Sequence, residues 1–151
     1  KSALTAGILL LAAVGCLVFG KIADRYGKLK TLKIVIFLWC FIFIAMASIT
    51  SFKTLVPLFL VAGILFGPVW ALSRALVGEL APPHLLASSY SYYIVAERFA
   101  TFIGPAIWSI ALIVMGEGVR GYQTALLCMM AILVISLFAL KKVEKSAIVN
   151  I

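Results

Sequence analysis

Residues 2–20 read SALTAGILLLAAVGCLVFG and residues 21–33 read KIADRYGKLKTLK. Nineteen residues without a charge are followed by thirteen that carry five bases and a single acid, Asp24. A helix rises about 1.5 Å per residue, so the first stretch reaches across a hydrocarbon layer of about 30 Å. The pattern repeats. Residues 34–52, 54–73, 99–116 and 121–140 are also free of charge, in runs of 19, 20, 18 and 20. The reading is an all-α integral membrane chain with five transmembrane helices, at about 3–19, 34–52, 54–73, 88–116 and 121–140.

Composition agrees. Of 151 residues 65% are apolar and 12% charged, against roughly 45–50% and 25% in an average soluble domain. Too few polar groups remain to cover a soluble fold. That excludes a soluble enzyme and a nucleic-acid-binding domain, although the net charge is +8. The positive-inside bias accounts for the charge instead. With five spans, Lys21, Arg25, Lys28, Lys30, Lys33, Arg74, Lys141, Lys142 and Lys145 fall on one side, and Lys1, Lys53 and Arg120 on the other. The 20–33 loop and the C-terminus are therefore expected in the cytoplasm, with the plasma (inner) membrane of a prokaryote as the expected setting. The chain opens on Lys1-Ser2-Ala3 without Met or a signal-peptide layout. It is expected to be a piece of a longer protein that has further helices upstream.

No cofactor or metal is expected. His84 is the only histidine, and Cys16, Cys40 and Cys128 lie scattered within apolar runs. No phosphate-cradling Gly-x-x-x-x-Gly-Lys-Ser/Thr loop occurs. Within the third span Gly63 and Gly67 stand four apart on one face, a spacing that admits a close neighbouring helix. Pro68 cannot donate to the helical ladder and is expected to bend its last turn. Such a helix serves either as a packing device or as a gate. Gly104-Pro105 is the only strong break in the fourth region.

The first loop, Gly20-Lys21-Ile22-Ala23-Asp24-Arg25-Tyr26-Gly27-Lys28-Leu29-Lys30, resembles the signature loop of the major facilitator superfamily, Gly-x-Leu-Ala-Asp-Arg/Lys-x-Gly-Arg-Arg/Lys. Gly20, Ala23, Asp24, Arg25, Gly27 and Lys28 match in register, Ile22 is a conservative match, and Leu29 departs. The resemblance implies two six-helix halves, of which this chain supplies most of one, and transport of a small solute by alternating access. In physical terms, Asp24 among bases, flanked by Gly20 and Gly27, suits an ionic latch that forms in one conformation and breaks in another. Gly67-Pro68-Val69-Trp70-Ala71-Leu72-Ser73-Arg74, Leu80-Ala81-Pro82 and Phe99–Pro105 are similar to the tenth and eleventh helices of the Unknown Major Facilitator family, which includes fungal vacuole effluxers. That places the chain as helices 8–12 of twelve, with the N-terminal half of the protein missing. Trp70 and the adjacent Glu97-Arg98 depart from that family's usual residues.

Glu97 and Arg98 are candidates for substrate or coupling work, because each ionisable group in a span costs at least about 2.5–3.5 kcal/mol unless paired or hydrated. Glu97 suits a coupling proton or cation and Arg98 an anionic substrate or a latch. Alternatively both lie near the interface and snorkel. Tyr90, Tyr92 and Tyr93 look like interfacial aromatics. Arg74 is expected to end the third helix, either as a site residue or by satisfying the last carbonyls. Trp70, beside Pro68, is the tryptophan best placed to touch a solute. The competing class is a non-transporting five-helix membrane subunit that assembles with partner chains.

Overall fold

A computed structural model describes residues 2–149, with side chains over 5–51 and 53–143. Lys1 and the end at Asn150-Ile151 lie outside the described residues, as does the Lys145 side chain. The described chain forms five helices: α1 (Ser2–Tyr26), α2 (Lys28–Ser48), α3 (Phe52–Leu80), α4 (Leu86–Met115) and α5 (Val119–Val149), with one 3-10 turn at Pro83–Leu85. All five are long and apolar enough to cross a membrane.

Most helix ends outrun the charge-free stretches that announced them, although the end of α2 falls four residues short of its stretch. α1 passes Gly20 and continues to Tyr26, α2 starts at Lys28 and stops at Ser48, and α3 runs seven residues beyond Ser73. The expected 13-residue loop is thus a single residue, Gly27. The reason is that the backbone ladder, once nucleated, extends into the polar zone as readily as through lipid, whereas lack of charge marks only the part that must be dry. Gly27 has φ 93° and ψ 141°, a region open essentially to glycine alone. Its N–H bonds the Ala23 carbonyl at 2.8 Å and its own carbonyl accepts from the Thr31 N–H and hydroxyl at 3.1 and 2.9 Å. Thr31 is fully buried, so this turn is a bonded elbow. Gly20, expected at a helix end, sits inside α1, with no neighbour within 4 Å of where a side chain would begin.

α1 lies on α3 and also touches α2, α3 lies on α2, α2 on α5, and α5 on α4, with a smaller contact between α3 and α4. The core runs along α2 and α3 through Leu32, Val35, Ile36, Met46, Ala62, Leu65, Leu72 and Leu76. Elsewhere large apolar side chains face outward, Leu10 at 71%, Phe102 at 76% and Ile113 at 81% exposure among them. In water such a surface would be costly; in lipid it is the expected one. α3 and α4 face each other across a cleft floored by α2 and α5.

Candidate functional site

The cleft is shaped first by α3. Pro68, fully buried, has no N–H for the carbonyl of Ile64, four residues back. That carbonyl meets α1 at Gly15: a Cβ added there would stand 1.8 Å from the Ile64 oxygen. Gly67 lies against the Ala12 carbonyl and Cys16 Sγ, and Gly63 against Ile8. The neighbour admitted by Gly63 and Gly67 is α1, and Gly15 is the residue that the spacing argument missed. A proline frees a carbonyl four residues earlier, so the need for a small residue opposite was calculable, but not which helix would supply it. On the other side of α3, Trp39 Nε1 donates to the Leu65 carbonyl at 3.3 Å, which pins the indole at the floor of the cleft.

Two recesses of about 490 and 480 Å³ share Trp39 and Phe43 and run end to end along the floor. The first is walled by Phe66, Val69, Trp70, Ser73 and Tyr93, the second by Phe59, Trp108, Tyr122 and Gln123. A third, of about 390 Å³, opens directly between α3 and α4, lined by Val69, Trp70, Ser73, Tyr93, Ala96, Glu97, Ala100 and Thr101. Val69, Trp70, Ser73 and Tyr93 thus belong to both the first and the third.

The polar groups around the third recess come from two helices, α3 and α4. Arg74 Nη2 lies 3.3 and 3.2 Å from the two carboxylate oxygens of Glu97. Its guanidinium stands 5.8 Å from the Trp70 ring centroid, within cation–π range. Tyr90 Oη donates to the Arg74 carbonyl at 3.2 Å, and Tyr93 lies against the guanidinium. The Ser73 hydroxyl is turned back onto the Val69 carbonyl. Arg74 does not end its helix, since α3 continues six residues to Leu80. Its guanidinium serves the ion pair rather than α3's last carbonyls. Glu97 and Arg98 are split by the 100° step of the helix: Glu97 faces α3 and Arg98 is exposed. Of the three tyrosines, only Tyr92 points outward, at 76% exposure. Interface logic from the sequence could not separate them; the helical face could.

The end of the bundle holding the Gly27 turn, here the basic end, has its own contact. Lys28 Nζ lies 3.1 Å from Glu79 Oε2, joining the start of α2 to the end of α3. Asp24 and Arg25 are exposed, and among the described residues Asp24 makes no ion pair; the charge contact here belongs to Lys28. Gly104 and Pro105 lie within an unbroken α4, and no neighbour comes within 4 Å of a Cβ at Gly104. Among the described residues no three His, Cys, Asp or Glu side chains gather, and Cys16, Cys40 and Cys128 are free.

The profile of the Major Facilitator Superfamily matches residues 1–150. The chain belongs to that superfamily. It is a family of transporters, and with five apolar helices the chain is an integral, multi-pass membrane protein. Two curated relatives are similar over part of it. Hexose transporter HXT8 of Saccharomyces cerevisiae is 33% identical over 94 residues, 62% of this chain and 16% of that protein. Hexose transporter 2 of Kluyveromyces lactis is 30% identical over 93 residues, 61% of this chain and 16% of the relative. The matched stretch thus spans about one sixth of each relative's length. No solved structure matches.

Proposed function

We propose that the chain is part of a secondary transporter that moves a small neutral solute by alternating access, with the α3–α4 cleft as its share of the solute path. On this reading it supplies helices 8–12 of twelve, and the missing N-terminal half closes the cleft. The 20–33 segment and C-terminus face the cytoplasm. The observation that carries the proposal is the cleft itself: apolar and aromatic along its length, with one ion pair at its edge and Trp70 and Tyr93 shared between recesses. Apolar walls with a few convergent polar groups are what small-solute sites look like, and transporter sites lie between helical halves near the midplane.

The solute we favour is a hexose. Both relatives are named as hexose transporters, and Trp39, Trp70 and Tyr93 suit the C–H face of a sugar ring, while the oxygens of Ser73, Gln123 and Glu97, whose present bonds go to Val69, Ala47 and Arg74, keep lone pairs that can accept from sugar hydroxyls. The segments 67–74, 80–82 and 99–105 support the finer kinship with the vacuole effluxer-like family. Glu97 would carry the coupling proton or cation, and Asp24 a latch to a partner beyond this chain.

The test is tracer counterflow with the full-length protein in liposomes. Saturable exchange of a labelled hexose, competed by unlabelled hexose and not by charged amino acids, supports the proposal. Absence of exchange for hexoses and other neutral solutes would refute it and favour the subunit reading.

A further inference from the structure

α3 and α4 are joined by polar contacts at one end of the cleft. Among the described residues the polar contacts that join these helices all involve Arg74: the two contacts to Glu97, the bond from Tyr90 to its carbonyl, and Tyr93 against its guanidinium. Elsewhere the helices are separated by the recess that Ala96, Ala100 and Thr101 line from α4. The tyrosine needs a slot to reach across. Gly78 provides it, since a Cβ there would stand 2.6 Å from Tyr90 Oη. A glycine inside a helix costs about 1 kcal/mol relative to alanine, so this slot opposes the helix that contains it. Arg74 lies six residues, about 9 Å, from the basic end of α3. Its side chain is half exposed, whereas that of Glu97 is only 20% exposed.

We infer that Arg74, Glu97 and Tyr90 form a clasp that closes the basic end of the α3–α4 cleft, seated by Gly78 and stacked on Trp70. The inference rests on the transport reading and adds its regulation: breaking the pair frees α4 from α3 and opens the recess to that side. A contact between partly hydrated groups suits this work. It is strong enough to bias two arrangements and weak enough to release. The apolar contacts of α4 with α5 persist throughout, so α4 swings without leaving the bundle.

The test uses the full-length protein in liposomes, with Ala100→Cys on a background lacking the native cysteines. A membrane-impermeant maleimide is applied from the basic side with no solute present. Glu97→Gln and Arg74→Gln should each raise the labelling rate about three- to tenfold. Arg74→Glu combined with Glu97→Arg should return it to within about twofold of the parent, because the pair is rebuilt in reverse. Tyr90→Phe, which removes one hydroxyl, should give a smaller rise and keeps the test open if a charge variant fails to fold. Unchanged labelling in the single variants, or a swapped pair labelling as fast as they do, would overturn the clasp. The readout needs no solute movement, so a protein that passes it but exchanges nothing loses the transport reading alone.

Discussion

Replacing Gly15 with Ala should damage the protein more than the same change at any other helical glycine of α1 or α3 that faces the α1–α3 contact. The added Cβ would stand 1.8 Å from the Ile64 oxygen and 2.8 Å from its carbonyl carbon. Real Cβ atoms essentially never come within 3.0 Å of another heavy atom, so the backbones must separate by more than 1 Å, and neither is a flexible side-chain end. Overpacking a tight contact costs about 1–3 kcal/mol, and this case belongs at the top of that range. Alanine recovers about 1 kcal/mol of helix propensity. The net loss is then about 2 kcal/mol, roughly thirtyfold in the folded-to-unfolded ratio. At Gly63 the nearest atoms lie at 3.1–3.3 Å, so a smaller clash and the propensity gain should nearly cancel. At Gly20 nothing lies within 4 Å, and alanine should stabilise by up to about 1 kcal/mol. The assay is thermal unfolding of the full-length protein in detergent micelles, followed by tryptophan fluorescence, for all three variants. The expected order of melting temperature is Gly20→Ala, then Gly63→Ala, then Gly15→Ala well below. If Gly15→Ala melts with the other two, the Pro68-freed carbonyl is not what holds α1 and α3 at this distance.

Lys28 and Glu79 form a partly exposed pair, so Lys28→Gln and Glu79→Gln should each cost about 0.2–1 kcal/mol of unfolding free energy, and the double variant no more than the larger single loss. In the full-length protein Glu97→Gln should lower gradient-driven uptake more than solute exchange, because an amide keeps the size but cannot cycle a proton; equal effects in both assays would leave Glu97 with no coupling role. Asp24→Asn should preserve expression and orientation while raising cysteine accessibility from the cytoplasmic side about fivefold or more and lowering turnover, with unchanged accessibility ending the latch idea.

What the sequence could tell followed from solvent rather than from geometry. Lipid forbids charge, so the five apolar runs located the spans, whereas the 13 residues expected as the first loop are helical except at Gly27. Helix ends were less legible. Nothing in the residues around Gly20 or Ser73 stops the ladder, and the absence of charge is silent once a helix leaves the lipid. Gly20 accordingly turned out to be an interior residue with no close neighbour, although it matches the signature as well as Gly27 does. The candidate site was legible as a set of unusual residues and illegible as a set of partners. Arg74 and Glu97 are 23 positions apart on different helices, and Lys28 and Glu79 are 51 apart. Pairing at such separations depends on how far each helix is rotated and shifted against the next, which no local spacing encodes. Gly15 is the same case in the core: it is an ordinary helical glycine until Pro68, on another helix, frees a carbonyl against it.

The claim that the α3–α4 cleft carries solute meets its most direct test at Ser73, which lines two of its recesses. In the full-length protein, Ser73→Cys on a background without native cysteines is reacted with a maleimide in the presence and absence of saturating hexose. Hexose should slow the reaction about tenfold or more, while a charged amino acid at the same concentration leaves it unchanged. Equal rates with and without every solute that the protein exchanges would contradict that claim, and would place the solute path elsewhere in the molecule.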